Sequence, residues 1–181
     1  MNNCRLMMRN IFNTIKPFAL AAALLLGGCT VKYSLSGASI PPDAKTFSVA
    51  YFPNNAPMVA PILSSTLTDA LVDKFARSTR LQQVEDSGDF AFEGEIIGYA
   101  STTASVSSND YALQNRLTIK VRVRFTNAVD ETMSFPSNGR EFSAYADYDS
   151  SRLLTEVEQE LITQIVDQLV DDIFQASASN W

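Results

Sequence analysis

The chain has 181 residues, 46% of them hydrophobic, with twenty Asp and Glu against fourteen Lys and Arg and no histidine. That length suits one domain with a core of its own, and the acidic balance argues against a nucleic-acid partner. Without histidine there is no Ser-His-Asp or Cys-His catalysis and no His-ligated zinc, which leaves carboxylates, Lys, Ser and Tyr for any chemistry.

The start is basic, with Arg5, Arg9 and Lys16, and an uncharged apolar run follows over residues 18–26. The run is shorter than the ~20 residues needed to span a bilayer, and it leads into Leu26-Gly27-Gly28-Cys29. Small residues before a cysteine admit a peptidase to the backbone, and a thiol is the group a diacylglycerol donor alkylates. Residues 1–28 therefore read as a lipoprotein signal peptide and Cys29 as the lipidated N-terminus of the mature chain. Two or more acyl chains hold a protein stably at a bilayer where one does so only marginally. Thr30, rather than Asp, follows the cysteine, which agrees with outer-membrane delivery in the best-known sorting rule. The mature chain keeps all twenty acids but only eleven of the bases, a formal charge of −9. Cys4 leaves with the signal and Cys29 is committed to lipid, so neither an intrachain disulfide nor thiolate chemistry is expected.

Residues 29–43 are rich in Ser, Gly and Pro and read as a lipidated tether, leaving residues 44–181 as a single domain. Residues 45–52 alternate, with Phe47, Val49 and Tyr51 on one face, and predict a strand that Pro53-Asn54-Asn55-Ala56-Pro57 breaks. Pro61 suits the first residue of a helix, and Leu63, Leu67, Ala70, Leu71 and Phe75 follow at helical spacing. Residues 90–99 form a second predicted strand, with Phe90, Phe92 and Ile96 on one side and Glu93 and Glu95 on the other. The polar stretch over residues 101–114 reads as an exposed loop. Residues 116–126 hold the cleanest period of two in the chain: Leu117, Ile119, Val121, Val123 and Phe125 alternate with Arg116, Thr118, Lys120, Arg122 and Arg124. A weaker strand region ends with Phe142, Ala144 and Ala146. Thr155 and Glu158 have the spacing of a capping box, and a long helix is expected from there to about Ala176. Its apolar set covers more than half the circumference, so either the first helix or a partner must cover the excess.

Strand, helix, two or three antiparallel strands and a second helix give an α+β fold (β-α-β-β-β-α). Strands with one apolar face need cover on that face alone, which predicts a two-layer sandwich of about four mostly antiparallel strands with both helices on one side.

Arg116, Lys120, Arg122 and Arg124 place four of the mature chain's eleven cations on one strand face. Outward neighbours on a strand lie about 7 Å apart, a spacing at which such a row can meet several phosphates of an anionic lipid. The competing reading is cross-strand ion pairing: with Tyr99 opposite Arg116, Glu95 faces Lys120 and Glu93 faces Arg122, leaving Arg116 and Arg124 unaccounted for. Glu93 and Glu95 have the separation of a glycosidase pair, but a basic row opposite them would keep both ionised, whereas a general acid needs a raised pKa. Asp147-Tyr148-Asp149-Ser150-Ser151 reads as a turn with capping residues, since calcium loops need more oxygen ligands. No catalytic residue, metal site or cofactor is expected.

Several strings in order carry a resemblance: Tyr33-Ser34-Leu35-Ser36-Gly37-Ala38-Ser39-Ile40-Pro41-Pro42, Tyr51-Phe52-Pro53-Asn54-Asn55-Ala56, the run from Asn115 to Asn127, and Tyr145-Ala146-Asp147-Tyr148-Asp149-Ser150-Ser151. Together with the lipidation motif they resemble the LptE family of lipopolysaccharide-assembly lipoproteins. The resemblance implies a non-enzymatic outer-membrane lipoprotein that plugs the LptD β-barrel, helps assemble it, and engages lipopolysaccharide during transfer to the outer leaflet. It does not map the family's lipid-contacting residues onto this chain, so Arg116, Lys120, Arg122 and Arg124 rest on the charge pattern alone. The alternatives are a protein-only structural chaperone of the outer-membrane periplasmic face and, more remotely, a carboxylate-dependent hydrolase.

Overall fold

The computed structural model of the protein describes residues 40–58, 60–104 and 114–178. Cys29, the signal peptide and most of the tether lie outside the described residues. Five strands and two helices follow in the order β1 (Thr46–Val49), α1 (Leu63–Ser78), β2 (Gln82–Gln83), β3 (Phe90–Thr103), β4 (Gln114–Asn127), β5 (Arg140–Asp149) and α2 (Leu154–Ala178), with a short 3-10 turn at Glu131–Met133. The strands form one sheet in the order β2-β1-β3-β4-β5. β1 is parallel to both its neighbours, while β3, β4 and β5 form an antiparallel meander. The α+β sandwich expected from the sequence is therefore present, with β2, two residues long, as a fifth strand. Among the described residues no helix is long and apolar enough to cross a membrane.

β1 is shorter than its alternation suggests. Phe47 is fully buried, but Tyr51, which shares its parity, is 63% exposed, because the strand ends at Val49 and Phe52 turns inward instead. The chain then follows the edge of β3: Ile96 N–H donates to the Pro53 carbonyl (2.9 Å) and Asn55 N–H to the Ile96 carbonyl (2.9 Å). Helix α1 begins at Leu63 with Ile62 as its cap, so Pro61 lies outside the helix rather than at its first position. Its stripe of Leu63, Leu67, Leu71 and Phe75 is wholly buried. The Phe75 ring lies 4.6 Å from that of Phe92 on the sheet and 5.1 Å from that of Phe174 on α2, joining the two layers.

The expected loop over residues 101–114 is shorter at both ends, since Ser101, Thr102, Thr103 and Gln114 belong to strands. Ala104 N–H donates to the Gln114 carbonyl (2.8 Å), and residues 105–113 lie outside the described residues. The longer strands come with a shifted register. Glu93 lies opposite Arg124 and Glu95 opposite Arg122, two residues from the expected pairing, and a bulge between Ile96 and Gly98 places Lys120 opposite Gly98. The bulge inserts one residue into β3, so that inward parity passes from Phe90, Phe92 and Ile96 to Tyr99.

α2 lies chiefly over β5, and α1 flanks it. Its wide apolar arc is thereby used up on the sheet and on α1, with Val157 to Phe174 buried at every expected position. The capping box does not form: the helix starts at Leu154, and the Glu158 carboxylate accepts from the Tyr99 hydroxyl of β3 instead of from the Thr155 N–H.

Candidate binding face of the sheet

The helices cover one face of the sheet, and the other face carries the charged residues of β3, β4 and β5. All four cations of the β4 row lie there, as period two requires, and the structure brings carboxylates from both neighbouring strands to them. Arg116 forks onto Asp147 of β5 through Nε (2.7 Å) and an Nη (2.8 Å), and its guanidinium lies 3.7 Å from the centroid of the Tyr145 ring. Arg122 bridges two strands, reaching Glu95 of β3 (3.1 Å) and Glu141 of β5 (2.7 Å). Arg124 meets Glu93 (3.1 Å). Lys120 forms no ion pair among the described residues.

The ion-pairing alternative is thus realised, though with other partners than the sequence suggested. Arg116 and Arg124, the two cations that reading left over, are paired, and Lys120, to which it gave Glu95, is not. Lys120 instead lays its stem across Gly98: a Cβ built there would sit 3.1 Å from the Lys120 Cβ. Glycine beside the bulge gives the long side chain a floor.

These contacts fix charge states. The Asp147 carboxyl is held below the usual range by the hydrogen bonds from Arg116, and Glu95 is lowered first by the Asn55 side chain, which donates to it at 2.8 Å, and then by Arg122. Glu93 and Glu95 lie on this open face with arginine against each. In the Asp147–Ser151 string, Asp149 does cap a turn, accepting from Ser151 N–H (2.8 Å), whereas Asp147 and Tyr148 belong to β5. Among the described residues no cluster of His, Cys, Asp and Glu could hold a metal ion.

A family model described as LptE, lipopolysaccharide-assembly, matches residues 44–177. The chain belongs to the LptE family. The resemblance carried by the sequence strings is borne out at the level of the family, one of lipopolysaccharide assembly. Among curated proteins no sequence matches. Solved structures that resemble this LptE domain include a hypothetical protein from Chlamydia trachomatis, 9% identical, with a TM-score of 0.51 over 76% of this chain and 99% of that one. A minor lipoprotein from Acinetobacter baumannii is 16% identical with a TM-score of 0.43, covering 74% of this chain and 93% of its own. A protein from Xanthomonas campestris is 13% identical with a TM-score of 0.48, covering 77% and 88%. At such identities the first likeness concerns the fold alone.

Two features of this LptE face escape sequence reasoning: Tyr145 under Arg116 and Glu141 on Arg122 come from β5, whose register against β4 no local pattern reveals. On the opposite, helix-covered face the Ser101 and Tyr148 hydroxyls meet at 2.7 Å, a contact that sequence reasoning also misses. Gly98 was the one available signal, since an isolated glycine in a strand often marks a bulge.

Proposed function

We propose that this protein is an outer-membrane lipoprotein, anchored through acylated Cys29, that seats in the lumen of an LptD-type β-barrel, helps that barrel assemble, and assists lipopolysaccharide transfer to the outer leaflet. The family match over residues 44–177 carries the reading. The lipidation motif and the mature chain's 153 residues, enough for one anchored domain, support it.

Within that role the β4 row is the proposed contact for lipid A and core phosphates. Among the described residues Lys120 forms no ion pair, Arg122 and Arg124 are held by surface pairs of the kind worth ~0–1 kcal/mol each, and Arg116 is held by its fork on Asp147 and the Tyr145 ring. A phosphate of higher charge that offers the same bidentate geometry can take the place of a carboxylate there. Binding of lipopolysaccharide to the purified protein is expected to fall several-fold in Arg116→Ala/Arg124→Ala and in Lys120→Ala. Parent-like binding in all of these would exclude the row. Affinity capture of the lipidated protein from outer membranes, followed by identification of what accompanies it, tests the barrel partnership; recovery without any β-barrel would overturn it.

One observation favours a protein-only role: three of the four cations already have carboxylate partners. On that reading charge reversal along β4 impairs barrel capture and leaves lipopolysaccharide binding unaltered.

A further inference from the structure

The two edges of the sheet are built differently. On one side the edge is β2, two residues long, which leaves little backbone to pair with. On the other, β5 runs for ten residues as Arg140–Asp149, paired to β4 without a register shift and containing neither proline nor lysine. Natural edge strands are usually blunted by a bulge, proline or charge; β5 has the last of these in Arg140, Glu141, Asp147 and Asp149, with an uncharged stretch from Phe142 to Ala146 between them.

Which backbone groups β5 leaves open follows from the ladder. Ala104 N–H donates to the Gln114 carbonyl, so the even residues of β4 turn their backbone toward β3 and the odd ones toward β5. Given the pairs Asn115 with Tyr148, Leu117 with Ala146, Ile119 with Ala144 and Val121 with Phe142, the N–H and C=O groups of Glu141, Ser143, Tyr145, Asp147 and Asp149 point away from the sheet. Among the described residues no strand meets them.

α2 runs beside this open edge. Between them lies a groove of about 410 Å³, walled by Arg140–Ser143 on the strand side and by Asp172, Gln175 and Ala176 on the helix side. α2 carries no Lys or Arg and sets Asp172 against this groove, whereas its Asp167 and Asp171 face α1, where Lys74 pairs with Asp171, and its Glu158 accepts from Tyr99. Among the described residues Arg140, beside the rings of Phe135 and Phe142, is the single cation lining the groove. A strand edge next to a helix-walled groove is the geometry in which an added strand gains affinity from its main chain and selectivity from alternate side chains.

We infer that the β5 edge and the α2 groove bind an extended, Lys- or Arg-bearing segment of a protein partner as a sixth strand. Its backbone completes the hydrogen bonds of Glu141, Ser143, Tyr145 and Asp147. Its inward side chains lie against Asp172 and Gln175 of α2, where a Lys or Arg meets the Asp172 carboxylate. The inference goes beyond the barrel reading and stands without it.

The probe is a seven-residue peptide alternating Lys with Val and Thr, with an otherwise identical peptide bearing Glu for Lys as control, added to the full-length protein in detergent without barrel or lipopolysaccharide. The basic peptide is expected to slow hydrogen exchange of the Glu141, Ser143, Tyr145 and Asp147 amides at least tenfold, leaving Phe142 and Ala144 unchanged because they already bond to β4. Ser143→Pro, which removes an outward N–H and no ladder donor, is expected to weaken binding at least tenfold. Asp172→Lys/Gln175→Lys, on the exposed helix side, tests the groove whether or not the proline variant folds, and should weaken the basic peptide by a similar factor. The inference is overturned by unchanged exchange, by equal binding of the acidic peptide, by a helix variant that binds like the parent, or by protection that rises with protein concentration alone, which would assign the edge to a second copy. None of these outcomes touches the barrel assignment.

Discussion

Asp89 shows how much of the parallel part of the sheet depends on a single side chain. Its Oδ2 accepts from the Lys45 N–H (2.8 Å), the Thr46 N–H (3.0 Å) and the Thr46 hydroxyl (3.0 Å), which ties the start of β1 to the start of β3. Those backbone bonds hold its pKa below the usual range. A carboxylate with a lowered folded pKa contributes stability that is present above its unfolded value, about 3.9 for Asp, and is lost as pH falls through the folded one. Asp147 and Glu95 act in the same direction. Thermal melts should therefore be flat near neutrality and fall below pH ~4, and Asp89→Asn, whose amide oxygen keeps part of the clamp, should lose roughly 1 kcal/mol, on the scale of one ordinary hydrogen bond. A variant as stable as the parent at pH 7 would show that the clamp contributes nothing. Two glycines differ just as sharply. A Cβ on Gly94 would lie 2.4 Å from both the Arg122 carbonyl and the Phe52 ring, whereas one on Gly98 meets only the flexible Lys120 side chain. Gly94→Ala is expected to destabilise by ~1–3 kcal/mol and Gly98→Ala by much less, measured by urea unfolding.

At the scale of elements, the bulge in β3 decides what α2 can bond to. By reversing the parity of the strand it turns Tyr99 inward, where its hydroxyl reaches Glu158 and removes that residue from the capping box. Thr155→Ala should then change stability by only a few tenths of a kcal/mol, instead of the ~1 kcal/mol usual for a lost cap. Tyr99→Phe should cost more, since it strands a part-buried carboxylate. Burial and then the Glu158 contact push the Tyr99 pKa far up. For a raised pKa the stabilisation is complete below the unfolded value of about 10 and is lost as pH rises beyond it. Alkaline unfolding above that pH should be shallower in the Tyr99→Phe protein. Phe75 joins α1, α2 and the sheet in one contact set. Phe75→Ala should cost ~3–5 kcal/mol, and a smaller loss would mean that the two layers meet elsewhere.

For the whole molecule, charge is distributed by layer. The outer sheet face pairs three of its four β4 cations with carboxylates of the neighbouring strands, while α2 carries acids and no bases. Because the outer pairs are exposed, Arg116→Ala/Arg124→Ala should lower stability by less than ~1 kcal/mol per pair, so a fall in lipopolysaccharide binding by that variant would report on the site and not on unfolding. The sequence by itself determined the α+β class, both helices, the three long strands and the face on which the β4 cations lie, because periods of 2 and 3.6 are local properties of the chain. It also determined the family, through strings that stand in order along it. Only the tertiary structure decided which carboxylate meets which cation, that Glu158 serves Tyr99, and that among the described residues Lys120 rather than Arg116 lacks an ion pair and β5 has an open edge beside α2. Register, bulges and strand order depend on contacts between residues far apart in sequence, and a shift of one or two positions leaves every local pattern intact while exchanging every partner.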